Sequence, residues 1–492
     1  MTLWFDVEDL IVFFETVSRP TGIQRLSFAI YREVWLLAGA SGAVRFCRHG
    51  VTQGDYAAVD WAQLEADILS ASAAPLATAA ALAPTQEAPL DDAPMEEAPV
   101  EEAPVEEAPE AAPAPHARSL RHRAHDVLFP LIAPHLRRPL GDIYRGQKQS
   151  VLAFKSLCRA LVAGPPPPII VPPEPPKVLT YAAAEPVHFM PGDTFVAIGA
   201  SWVLPNATAG KDLKARHGMR FAVLVHDLIP ELYPEWTATE GLALYRPWLH
   251  DVVPHADVIF TNSQNTADDL RDCMARHSLS IPPPMILKMG HLAAPDPDPA
   301  GAGAGPFDRP FILFVSTIEV RKNHALMLRV WRRLLAELPA AQVPYLVFAG
   351  KTGWLTGDLL TQLDNAAWLD GHIRHIPSPG EDELRALYRA CAFTVFPSLY
   401  EGWGLPVTES LSFGKTVAAS GRSAIPEAGG CFCVYFDPEN VEDAYGVIHG
   451  LITHPERVSQ LEDRIAAGFR PPPWAETAAV MLTALQGPNA LP

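Results

Sequence analysis

The sequence predicts an α/β chain of two doubly wound, Rossmann-like domains facing across a cleft, the first interrupted by a long insertion. Three observations carry this expectation. Short apolar runs alternate with stretches long enough for crossover helices, the grammar of parallel sheets. The alternation comes as two series, parted by the Gly- and Pro-rich linker 296–310. Between them, 492 residues give room for two or three domains.

Taken in order, residues 1–68 form the first part of the N-terminal domain. The apolar run Leu10–Phe14 reads as a strand, Ser18-Arg-Pro-Thr-Gly22 as a turn, and Ile23, Leu26, Ile30, Val34 and Leu37 as one face of a helix. Residues 69–176 are the insertion. It opens with a five-residue repeat, prolines at 89, 94, 99, 104 and 109 each preceded by Ala and an acidic residue, which reads as a largely disordered, self-repelling spacer. A basic, apolar segment follows over 118–155, and the proline run 165–176 closes it. The N-terminal domain resumes over 177–295 with strands at Phe195–Ile198, Phe221–Val225 and Val258–Thr261. After the linker, 311–470 form the C-terminal domain, with strands at Phe311–Val315, Tyr345–Ala349, Ile373–Ile376, Phe393–Phe396, Thr416–Ala419 and Cys433–Phe436. Residues 471–492 hold a last helix, with Ala478, Met481, Leu482 and Leu485 at helical spacing, and a tail.

Composition excludes several function classes. The net charge of −18 is local, because residues 50–117 hold 14 of the 56 acidic residues and no Lys or Arg. The remainder is nearly neutral, which lacks the basic footprint that nucleic acid demands. Six scattered cysteines are too few for a disulfide framework and point to a reducing, cytoplasmic compartment. Cys431 and Cys433 have no second ligand pair at zinc-finger spacing. Asp6, Glu8 and Asp9 interrupt the apolar start, so no secretory signal is expected. The basic segment 118–155 could rest on an anionic membrane surface, placing the protein at the inner face of the membrane as a peripheral component; it could equally pair with the acidic spacer.

The densest chemical signal is Pro397-Ser-Leu-Tyr-Glu-Gly-Trp-Gly-Leu-Pro-Val-Thr-Glu-Ser410. It follows a strand and enters a helix, with Pro406 suited to the first turn and Gly414 to the end. Gly402 and Gly404 let the backbone approach a ligand, and the helix start aims free N–H groups at the same place. Glu401 and Glu409 would accept hydrogen bonds from sugar hydroxyls. This run resembles the E-x7-E motif of retaining glycosyltransferase family 4, which has the two-domain GT-B fold. Val315-Ser-Thr-Ile-Glu-Val-Arg-Lys-Asn-His324 resembles the family's strand-end segment, with Ser316-Thr317 where many members carry Gly-Arg. Val225-His-Asp-Leu-Ile-Pro230 resembles its His-Asp turn, Arg19-Pro-Thr-Gly-Ile-Gln-Arg25 its N-terminal glycine loop, Thr261-Asn-Ser-Gln-Asn-Thr266 its strand-end Ser segment, and Glu427 its Pro-Glu-Ala-Gly-Gly run.

The resemblance implies a glycosyltransferase moving a hexose-type sugar, mannose among the candidates, from a nucleotide-diphosphate sugar to a saccharide or lipid-linked acceptor in polysaccharide biosynthesis. It implies catalytic roles for His226, Lys322 and Glu401, and donor contacts by Gly22, Arg321, Lys322, Gly402, Trp403, Gly404, Leu405 and Glu409. No cofactor and no metal are expected: Asp296-Pro-Asp298 spells a metal pattern of another glycosyltransferase fold but lies in the linker. Two rival readings use the same cleft: a sugar-nucleotide epimerase, and a non-catalytic nucleotide-sugar-binding partner of a polysaccharide assembly complex.

Overall fold

In the computed structural model of the chain, residues 1–16, 22–50, 54–73, 185–204, 206–291 and 306–486 are described. The acidic repeat, the segment 118–155, the proline run and Asp296–Asp298 lie outside them.

The first domain is a seven-stranded sheet of β1 (Leu3–Asp6), β2 (Val44–His49), β3 (Tyr56–Val59), β4 (Thr194–Ala197), β5 (Arg220–Val225), β6 (Val258–Thr261) and β7 (Met285–Ile286), in the order β3-β2-β1-β4-β5-β6-β7. All pairs are parallel except β2 with β3. The second is an all-parallel sheet of β8 (Phe311–Val315), β9 (Tyr345–Ala349), β10 (Ile373–Ile376), β11 (Phe393–Phe396), β12 (Val417–Ser420) and β13 (Val434–Phe436), in the order β10-β9-β8-β11-β12-β13. The fold is thus the expected pair of Rossmann-like domains. In each sheet the strand order reverses once, between β1 and β4 and between β8 and β11. Ligands of such sheets bind at the carboxyl ends of the strands at that reversal.

The first domain differs from the sequence-based expectation in several elements, since β1, β2, β3 and β7 are not among the expected strands. Leu10–Phe14 is no strand but part of the helix Glu8–Thr16, and the first strand is Leu3–Asp6. Leu10, Ile11 and Phe14 are fully buried while Val12 is exposed, a helical rather than an alternating pattern. Every residue of β1 is buried, as befits a central strand covered on both faces. The two-residue β7 is too short to stand out in the sequence, and the antiparallel edge strand β3 buries only Tyr56 and Val59 and so offers no continuous apolar run.

The chain ends by returning to the first domain. Trp474, Ala478, Met481, Leu482 and Leu485 of the helix Trp474–Gln486 join the core made by Phe5, Ile30, Tyr31 and Val34. Gly290 has no side chain because the backbone of Trp474 passes there; a Cβ would lie 2.5 Å from it. Thr477 Oγ1 donates to the Lys288 carbonyl at 2.6 Å and an Arg220 guanidinium nitrogen to the Leu485 carbonyl at 2.9 Å, satisfying polar groups beside the core.

Candidate active site

The site grows from the carboxyl ends of β8 and β11. After β8 the chain makes a single 3-10 turn, Val320–Lys322, and Asn323 adopts the left-handed conformation (φ 62°) before the helix His324–Glu337 begins. Asn tolerates that conformation better than most residues. Its buried Nδ2 donates to the carbonyls of Pro397 (3.2 Å) and Pro438 (2.8 Å), tying this turn to the loop after β11. The turn thereby presents Arg321 and Lys322 to that loop.

After β11, Pro397–Gly404 lead to the helix Leu405–Ser412, with Gly404 at φ 109° preceding its first residue. Glu401 is buried beneath this loop, and both cations close on it: Lys322 Nζ is 2.5 Å from Oε1 and an Arg321 guanidinium nitrogen 2.7 Å from Oε2. The Arg321 guanidinium also donates to the Tyr400 carbonyl (2.9 Å) and to Glu319 (2.7 Å). Burial alone would raise the Glu401 carboxyl, but Arg321 and Lys322 overcome it and hold the group at about 2. Glu401 is therefore an anion fixed in place by two cations. Among the described residues, the backbone N–H groups of Gly402, Trp403 and Gly404 make no hydrogen bond, which leaves donors at a helix start open to an anion.

The first domain supplies the facing wall. His226 directly follows β5, is buried, and its Nε2 lies 2.9 Å from the carbonyl of Ile198, the residue after β4. A carbonyl only accepts, so this nitrogen carries the proton. Burial lowers the imidazole to about 4, so His226 is neutral near pH 7. The neighbouring Asp227 carboxyl is raised by burial, with Arg321 opposing. Gly402 comes so close to this turn that a Cβ would lie 2.1 Å from the His226 carbonyl oxygen. His226, Arg321, Lys322, Glu401 and Gly402 thus converge from both sheets.

The remaining expected residues lie around this centre. Glu409, in the helix Leu405–Ser412, is held by Arg25 (2.8 Å) and by the Tyr388 hydroxyl (3.0 Å). Gly22 is exposed at the start of the helix Gly22–Ala38, three residues ahead of Arg25. Trp403 and Leu405 turn their side chains onto the apolar core of the first domain.

Glu427 was singled out in the sequence, but its partners were not, and Tyr400, Asn265, Asp269, Arg25 and Glu319 were given no role there. Glu427 accepts from the backbone N–H groups of Gln264 (2.7 Å) and Asn265 (2.8 Å), supplying a carboxylate to the start of the helix Gln264–Arg276 in the other domain. The Tyr400 hydroxyl accepts from Asn265 (2.8 Å) and donates to Asp269. Arg25 and Glu319 complete the set. Only the Pro-Glu-Ala-Gly-Gly run signalled any of these contacts, because each partner pair except Glu319–Arg321 is more than 100 positions apart.

The chain is 29% identical over 245 residues to the serotype-specific mannosyltransferase WbdA of Escherichia coli, covering 47% of this chain and 29% of that one. It is 34% identical over 133 residues to O-antigen chain mannosyltransferase B of Escherichia coli, covering 27% and 34%. The chain thus spans about a third of the length of these curated relatives. The crystal structure of Anabaena Alr3699/HepE in complex with UDP-glucose covers 60% of this chain and 78% of its own, at 14% identity and a TM-score of 0.47. Residues 304–467, which contain Arg321, Lys322, Glu401 and Glu409, match the family model of glycosyl transferases group 1.

Proposed function

We propose that the protein is a retaining glycosyltransferase of the family 4 type, moving a hexose from a nucleotide-diphosphate sugar to a saccharide or lipid-linked acceptor in polysaccharide biosynthesis. The clamp of Arg321 and Lys322 on Glu401, opposite His226, carries the reading. Mannose is the first candidate sugar because two relatives are named mannosyltransferases. The protein would work at the cytoplasmic face of the membrane, with 118–155 toward an anionic surface; no helix of the described residues is long and apolar enough to cross a membrane.

The chemistry follows from charge. As the bond from the anomeric carbon to the diphosphate breaks, negative charge grows on the leaving oxygen, and the acceptor hydroxyl oxygen bonds to that carbon from the same face, its proton passing to the departing phosphate. Groups placed beforehand where the charge develops lower the barrier most. Lys322 and the N–H groups of Gly402, Trp403 and Gly404 are so placed. Arg321 has three acceptors already, so its role is to position Glu401. Lys322, with one, can turn to a phosphate, which frees one Glu401 oxygen for a sugar hydroxyl. Neutral His226 offers its wall to the sugar without adding a second cation. In this reading no divalent metal is required at the diphosphate.

A panel of GDP- and UDP-sugars in a thermal-shift assay identifies the donor, since a ligand at a hundred times its dissociation constant adds about 2.7 kcal/mol. Turnover with that donor and a lipid-linked acceptor, with the anomeric configuration of the product read by NMR, tests transfer and retention. An inverted product overturns the retaining reading; stabilisation by no nucleotide sugar overturns the site.

A further inference from the structure

Glu231, His250, Cys273 and His277 in the first domain each offer one ligand atom, and the four atoms lie within 4.8 Å of one another. Three separate pieces of chain bring them there. Glu231 is in the short helix Ile229–Leu232, directly after the His226–Asp227 turn. His250 lies in a single π-helical turn, Trp248–Val252, a departure from α-helix that is frequent at functional sites. Cys273 is in the last turns of the helix Gln264–Arg276, and His277 follows that helix at once, giving C-x3-H spacing.

Hydrogen bonding does not account for this convergence. His250 Nε2 is 3.5 Å and His277 Nε2 3.8 Å from the Glu231 carboxylate oxygens, beyond the range of a good N–H···O bond. The Nδ1 of His250 is buried without a partner, the Cys273 thiol is fully buried, and the two imidazole rings are 4.2 Å apart. Those separations suit a shared ion. With metal–ligand bonds of about 2.0–2.3 Å, the edges of a tetrahedron are about 3.3–3.8 Å. Arg246 Nε contacts Glu231 Oε2 at 3.1 Å, which leaves Oε1 for an ion and makes Arg246 the outer partner that orients the carboxylate.

We propose that Glu231, His250, Cys273 and His277 bind one divalent transition-metal ion of the zinc class. Two imidazoles, a thiolate and a carboxylate select such an ion over magnesium or calcium, which take oxygen ligands. Four protein ligands close the coordination sphere, so the ion has a structural rather than a catalytic character. It staples the segment that follows His226 to the helix whose other end receives Glu427.

The test uses the full-length, tag-free protein, stripped with a chelator, reloaded with Zn²⁺ and dialysed, with metal measured by plasma mass spectrometry. One equivalent retained by the wild type, and an affinity weakened roughly tenfold or more in Cys273→Ser and in His277→Ala, is the expected result. His277 is half-exposed, so H277A keeps the fold even if C273S does not; circular dichroism monitors both. Loading with Co²⁺ adds a signature, a thiolate-to-metal charge-transfer band that C273S loses. Failure of the wild type to retain zinc at micromolar free Zn²⁺, or equal retention by folded H277A, overturns the proposal.

Discussion

Gly402 of the second sheet domain rests on the backbone carbonyl of His226 in the first, with only 2.1 Å available between that oxygen and a Cβ at Gly402. Backbone on one side and backbone on the other leaves nothing flexible to move aside. Gly402→Ala must therefore part the two faces of the cleft. Transfer is expected to fall by more than about tenfold, since misplacement on this scale near reacting groups costs up to a hundredfold, while circular dichroism stays that of the wild type. Unchanged activity would show that the contact is not required during turnover.

The clamp on Glu401 separates stability from activity. Glu401→Ala takes the anion from partly buried Lys322 and leaves Arg321 with Glu319 alone, a loss of up to about 3–5 kcal/mol by the general cost of breaking such a network. Glu401→Gln keeps an acceptor of the same shape and so stays folded better. Both are expected to lose about 10²–10³ in transfer rate. Chemical denaturation and initial rates on the two variants check this, and a fully active Glu401→Gln removes Glu401 from the mechanism.

Arg25 and Glu409 pair across the domains, both partly exposed. Arg25→Ala therefore costs only about 1 kcal/mol of stability. It also removes one of the two partners that hold Glu409, leaving the Tyr388 hydroxyl, so the apparent donor KM should rise while kcat changes less. Donor titration of kcat and KM for the variant decides it, and an unchanged KM excludes Glu409 from the donor site.

The pH dependence of stability has two opposed parts. Burial lowers His226 to about 4 and His324 to about 3, from an ordinary 6.5. Below pH 6.5 the unfolded chain binds protons the native chain refuses, so Tm should fall as pH drops from 6.5 toward 4. Asp9 acts oppositely. Burial raises it from 3.8 to about 6, so its unfavourable contribution is present above pH 6 and shrinks as pH falls toward 3.8. Asp9→Asn, which keeps an acceptor for the Ala200 N–H, should stabilise by about 2–3 kcal/mol at pH 8 and by much less at pH 4.5. Calorimetry at both pH values checks the sign.

Parallel-sheet strands were legible because each is a continuous apolar run covered on both faces: β6, β8, β9, β10 and β11 fall where the runs lie. Leu10–Phe14 was misread because a fully buried short run looks alike in strand and helix, and only the exposure of Val12 against the burial of Ile11 and Phe14 tells them apart. Glu401 and Gly402 stood out because a strand-end glycine turn with a carboxylate is a local pattern, and Arg321 and Lys322 because their segment resembles one of glycosyltransferase family 4. The sequence by itself determined the two Rossmann-like domains and the residue types of the site. Only the tertiary structure decided that Glu401 is an anion held at about 2, that Glu427 meets the helix of Gln264, that Arg25 takes Glu409, and that Glu231, His250, Cys273 and His277 converge. The physical reason is that charge state and long-range partnership depend on burial and on distances between segments far apart in the chain, which no local pattern of residues encodes.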